Sequence, residues 1–132
     1  MIQDNIKISV VLSIFGNDGD IYKTLTCLSN QTKMPDELLI VNSLHHIGID
    51  KIKQQFRDRL EISYIFSEQR LMPGGNRNLG LLKARFPIVA FIDSKTLPVQ
   101  SWLENSIKQL SSSKASIIFG KTQYIAHSEI QN

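Results

Sequence analysis

Ile88-Val89-Ala90-Phe91-Ile92-Asp93-Ser94-Lys95 is the stretch on which the fold turns. Its five apolar residues read as a buried strand, of the kind that alternates with helices in a mostly parallel sheet. Asp93 stands at the C-terminal end of the run, ahead of Ser94-Lys95-Thr96-Leu97-Pro98. An acidic residue delivered from a buried strand into a loop is a ready site for a metal or a hydroxyl-rich ligand.

Upstream of this strand the two structural periods alternate. Ile6 to Ile14 is an apolar, β-branched run that ends as a strand near Ser13. After Gly16-Asn17-Asp18-Gly19-Asp20, the residues Ile21, Leu25 and Leu28 recur at helical spacing to about Gln31, with Asp18 or Asp20 available as a cap. Met34-Pro35-Asp36 then launches a second strand, Glu37 to Val41, which empties into Asn42-Ser43-Leu44-His45-His46. Ile49, Ile52, Phe56 and Leu60 mark the apolar face of a second helix, with Lys51, Lys53, Arg57 and Asp58 turned to solvent.

Ile62 to Phe66 gives a third strand, and Pro73-Gly74-Gly75 reads as a turn before a helix bearing Leu79, Leu82 and Phe86. Downstream, Trp102, Leu103, Ile107 and Leu110 predict a fourth helix, and Ala115 to Phe119 a fifth strand. This alternation predicts a three-layer α/β/α sandwich, Rossmann-like, with a mostly parallel central sheet. In open sheets of this class ligands bind beyond the carboxyl ends of the strands. Ser13 to Asn17, Asn42 to His46 and Asp93 to Thr96 are therefore expected to meet at one edge.

The chain has 132 residues, a length that suits one domain with a continuous core. The expected division is a single domain over 1–132, with a core of about 6–120 and a tail of 121–132. Apolar residues make up 42% and charged residues 20%, the composition of a soluble globular protein. No apolar run approaches a membrane span, and the N-terminus lacks the pattern of a secretory signal, so a cytoplasmic location and no transmembrane segment are expected.

Net charge is +3 with acids and bases interleaved, which excludes the footprint of a nucleic-acid binder. Cys27, the lone cysteine, reads as a small packed side chain. His45 and His46 are adjacent and diverge from any one metal, and Asn76 and Asn78 are expected to cap a helix.

Five pieces, in order, resemble the inverting family 2 glycosyltransferases, whose nucleotide-binding half has the GT-A fold. They are Ile8 to Phe15, like the family's opening strand, and Leu25 to Thr32, like its "SLLNQT" helix end. Leu39-Ile40-Val41-Asn42-Ser43 stands where the family reads "VVDDGS". Gly74-Gly75-Asn76-Arg77-Asn78-Leu79-Gly80 is similar to "G-x-A-R-N-x-G", and Ala90 to Lys95 to "AFLDSDD".

The resemblance implies a donor domain that binds a UDP-sugar or other nucleotide sugar for transfer to an acceptor hydroxyl. It implies binding roles for Ser13, Phe15, Asn42, Ser43, Arg77, Asp93 and Lys95. Phe15 would stack near the base, and Asn42 would stand in for the carboxylate that meets uracil. Arg77 would face phosphate, or else pair internally with Asp93. Asp93 would be the metal ligand for Mn²⁺ or Mg²⁺. Lys95, in place of the family's second carboxylate, puts a like charge where that cation would lie.

Two readings of Lys95 stay open. It contacts the diphosphate and partly replaces the metal, or the site is a relic on a non-catalytic binding or interaction module. The family's general base lies beyond the donor half, so the catalytic residues are unassigned and the chain is expected to be impaired or incomplete as it stands. Apolar surface left uncovered on the sheet makes a homodimer an expected partner state.

Overall fold

The order of elements is β1 (Ile8–Ser13), α1 (Ile21–Ser29), β2 (Glu37–Ser43), α2 (Ile49–Phe56), β3 (Ile62–Ser67), α3 (Pro73–Lys83), β4 (Ile88–Asp93) and α4 (Trp102–Ser112). The computed structural model describes residues 6–14, 21–114, 116, 117 and 120. The four strands form one sheet in the order β3-β2-β1-β4, and every pairing is parallel.

The helices occupy both faces. Ile8, Val10, Leu12 and Ile14 of β1 and its extension pack with Leu38 and Ile40 of β2 against Ile21, Leu25 and Leu28 of α1, Ile52 and Phe56 of α2, and Leu103 and Ile107 of α4. The opposite face carries Val11, Leu39 and Val41 with Leu79 of α3. β1 and nearly all of β2 are buried, which is why their sequences show continuous apolar runs. Each fully buried Leu or Ile here contributes about 1.5–3 kcal/mol of burial free energy.

α3 lies against β1 and β2 at Gly80. A Cβ built there would stand 2.4 Å from Val11 Cγ1 and 3.2 Å from Val41 Cγ2, so only hydrogen fits at that crossing. The helix begins at Pro73, whose fixed φ suits the first helical position, and Gly74-Gly75 form its first turn. The plain turn expected at Gly74-Gly75 is thereby corrected. The same helix stops at Lys83, short of Phe86.

Other boundaries move by a residue or two. β2 runs on through Asn42 and Ser43, which pair with Phe66 and Ser67 of β3. Asp93 is the last residue of β4, not the first of a loop, and is in register with Ser13 of β1. Of the fifth strand expected at 115–119, only Ser116 and Ile117 are described, and neither is in a strand. The proposed caps Asp18 and Asp20 lie outside the described residues. Cys27 is half-buried.

A polar cluster ties the N-terminal ends of β1 and β2 to the segment after α3. Glu37, 2% exposed, accepts from the Ser9 hydroxyl at 2.6 Å, from the Arg85 amide at 2.6 Å and from Arg85 Nε at 3.0 Å. Arg85 continues to Glu61 at 2.8 Å, and the Phe86 amide donates to Ser9 Oγ at 3.3 Å. Burial alone pushes the Glu37 carboxyl up, but these donors and the guanidinium charge reverse this and hold it below its ordinary value.

Candidate nucleotide-sugar site

The chain passes outward from β1 to β2 to β3 and then returns to the far side of β1 for β4. The crevice of an open sheet lies at such a reversal, so the site is expected beyond the ends of β1 and β4. Ser13 and Asp93 occupy that position as register partners on neighbouring strands, about 4.8 Å apart in a parallel ladder. Their side chains share the face that α3 covers.

Arg77 of α3 reaches the same place. Its Nη2 donates to Asp93 Oδ1 at 3.3 Å and lies 3.5 Å from Oδ2, and both side chains remain more than two-fifths exposed. Between the two readings of Arg77, the structure therefore shows the internal pair, formed at the surface of the crevice. Lys95 is exposed on the turn that follows, a turn closed by the Thr96 amide donating to the Asp93 carbonyl at 3.0 Å. Among the described residues, Arg77, Lys95 and Asp93 thus bring two cations and one carboxylate to the ends of β1 and β4.

Asn42 is fully buried on the other face, and its side chain is committed internally. Its Nδ2 donates to the His45 carbonyl and to the Tyr64 hydroxyl, while its Oδ1 accepts from the Ser43 amide at 2.9 Å. Leu44, at φ 71°, makes the sharp bend that this arrangement needs. Ser43 lies half-buried on the α3 side. Alternation along β2 thus sends Asn42 and Ser43 to opposite faces. Phe15 lies outside the described residues.

Asn76 does not cap α3. It is fully buried, with Nδ2 3.4 Å from the Ile14 carbonyl, and it ties the helix to the end of β1; Asn78 is exposed. Among the described residues, Ser13 Oγ and Asn76 Oδ1 are the buried side-chain polar atoms with no partner, and both belong to this strand end. His46 stacks on Phe66 at 3.5 Å between ring centroids, beside Tyr64.

Sequence reasoning missed Thr24, whose buried hydroxyl lies 2.6 Å from the Ser94 carbonyl and 2.9 Å from the Thr96 carbonyl and shares its one proton between them. The available signal was a polar residue on the apolar face set by Ile21, Leu25 and Leu28. It also missed the stacked His46 and Phe66, whose signal was an aromatic residue at the end of a strand.

The donors do not fit a divalent cation. Among the described residues, Asp93 is the carboxylate at the ends of β1 and β4 and is already paired with Arg77, and an exposed ammonium stands two residues on. No group of three or more His, Cys, Asp or Glu residues able to hold a metal occurs among the described residues. A concavity of about 540 Å³ lies at the opposite end of the sheet, lined by residues that include Asp36, Lys53, Arg57 and Leu60, away from these groups.

The comparisons agree with this architecture. The chain is 25% identical over 126 residues to chondroitin synthase of Pasteurella multocida (strain Pm70), covering 94% of this chain and 13% of that protein. A structure of S. aureus TarS 1-349 in complex with UDP-GlcNAc superposes with a TM-score of 0.69 at 22% identity, over 81% of this chain and 32% of that one. The mannosyltransferase PcManGT from Pyrobaculum calidifontis, in complex with GDP-Man and Mn²⁺, gives 0.68 at 20% identity, over 82% and 34%. The chain therefore spans from an eighth to a third of the length of these proteins. No helix among the described residues is long and apolar enough to cross a membrane. The profile described as "Glycosyl transferase family 2" matches residues 9–131, so the chain belongs to that family and carries its GT-A fold.

Proposed function

We propose that this chain is the donor-binding part of a glycosyltransferase and holds a nucleoside-diphosphate sugar along the ends of β1 and β4. The observation that carries the proposal is the cluster at the strand reversal: Asp93 in register with Ser13, with Arg77 on the carboxylate and Lys95 on the next turn. The relatives with UDP-GlcNAc and GDP-Man support a nucleotide sugar as the ligand class.

In this reading Lys95 meets the diphosphate directly, and Arg77 adds positive charge from beside Asp93. Fixed cations at this edge stabilise the negative charge that grows on a departing nucleoside diphosphate. Asp93, at the edge of the crevice, is left to accept from ligand hydroxyls. Ser13 and Ser43 contribute hydroxyls on the α3 side, and Phe15 contributes ring surface to the base. Asn42 acts from beneath, by shaping the β2 turn. A cytoplasmic location belongs to the same proposal.

The sealed Asn42 favours a second reading, a module whose base recognition is weak and which serves as a binding scaffold. Calorimetric titration of UDP with and without Mn²⁺ separates the two. Binding that needs no metal and falls about tenfold or more in Lys95→Ala supports the donor site. Absence of binding at millimolar UDP supports the scaffold.

A homodimer is also proposed, because Phe91 is 41% exposed on β4, an outer strand of the described sheet. A monomer in gel filtration at high concentration contradicts it.

A further inference from the structure

Thr24 lies fully buried on α1, among Ile21, Leu25 and Leu28. A buried hydroxyl needs partners, and those of Thr24 are 70 and 72 residues away in the chain: the carbonyls of Ser94 and Thr96. These two carbonyls flank Lys95. The surrounding main chain is equally committed, with the Ser94 amide donating to the Ser13 carbonyl at 3.0 Å and the Thr96 amide to the Asp93 carbonyl at 3.0 Å.

We infer that Thr24 is a positioning residue for diphosphate recognition, acting through the turn that presents Lys95; the inference rests on the donor-binding reading above. Lys95 has a long flexible stem, and its aim depends on where the backbone launches it. Ser94 is 3% exposed, so water cannot readily replace the Thr24 hydroxyl at its carbonyl. Removing the hydroxyl leaves that acceptor unpaired and lets the turn relax, which moves Lys95 off the phosphates.

The residues just after α1 continue this grip downstream. Gln31 Nε2 donates to the Val99 carbonyl at 2.8 Å, Gln31 Oε1 accepts from the Leu103 amide at 3.1 Å, and the Thr32 amide donates to the Gln100 carbonyl at 2.9 Å. Those contacts hold the connection to α4, while among the described residues Thr24 is the α1 side chain that bonds the Lys95 turn. A change at Thr24 is therefore local to that turn.

The test is a double-mutant cycle on UDP affinity, measured by calorimetry on the whole 132-residue chain. Thr24→Val preserves shape and removes the hydroxyl, and is expected to weaken UDP about tenfold. Thr24→Ser retains the hydroxyl and is expected to stay within about twofold of the parent. In a Lys95→Ala background, Thr24→Val should add no further loss, because the group it aims is gone.

Equal losses with and without Lys95, or no loss in Thr24→Val, overturn the inference while leaving the donor reading intact. Failure of the parent chain to bind UDP overturns both. Should Thr24→Val not fold, judged by its thermal melt, Thr24→Ala replaces it with the same expected pattern.

Discussion

Arg77 donates to Asp93 across 3.3 Å, from the helix on one face of the sheet to the last residue of an outer strand. Because both side chains are more than two-fifths exposed, the pair adds only about 0–1 kcal/mol to folding. Its consequence lies in the crevice, where it neutralises the carboxylate that a divalent cation would need. Lys95 extends the same bias along the edge.

Reversing that bias should restore metal dependence. Lys95→Asp places a second carboxylate two residues after Asp93, and UDP binding is then expected to become Mn²⁺-dependent, with affinity raised about tenfold by the metal. Combining it with Arg77→Gln, which frees Asp93, should enlarge the effect. Titration with and without Mn²⁺ reads it, and an unchanged metal response in both variants contradicts the electrostatic account.

Gly80 sets the height of α3 above the sheet and so the reach of Arg77, one turn earlier. Gly80→Ala forces a methyl into Val11 and Val41, and is expected to destabilise the fold by about 1–3 kcal/mol despite the better helix propensity of alanine. Urea denaturation measures this. A stabilised variant would mean that the helix does not approach so closely.

Glu37 should make stability pH-dependent. Its carboxyl is held below its ordinary value of 4.5, so the unfolded chain binds the proton more readily than the native one. The stabilisation is fully present above 4.5 and is lost as pH falls through that value toward the lower native one. Urea midpoints taken from neutrality downward should drop in the parent and drop less in Glu37→Gln. Parallel curves would remove Glu37 from the acid response.

Removing the Glu37 side chain should cost more than removing its charge. Glu37→Ala strands the Ser9 hydroxyl and the Arg85 amide, with an expected loss of about 1–3 kcal/mol in denaturant melts. A loss below about 0.5 kcal/mol would show that water satisfies both donors.

What the sequence determined by itself was the order of elements, the parallel sheet and the edge to which Asp93 is delivered. Continuous, β-branched apolar runs such as Val10-Val11-Leu12 and Leu38-Leu39-Ile40-Val41, short and bounded by turn residues, fit strands covered on both faces, and the Ile21, Leu25 and Leu28 spacing fits a helix with one buried stripe. These signals are local, set by neighbours within a few residues. Tertiary structure alone decided that Arg77 pairs with Asp93, that Asn42 turns inward to His45 and Tyr64, that Thr24 holds the Lys95 turn and that Glu37 joins Ser9 to Arg85. Most of those partners lie 16 to 70 residues apart in sequence, and even the contact from Asn42 to His45 depends on a strand extended by pairing with β3. Their meeting is fixed by strand order and by how closely α3 approaches the sheet, and neither leaves a periodicity in the chain.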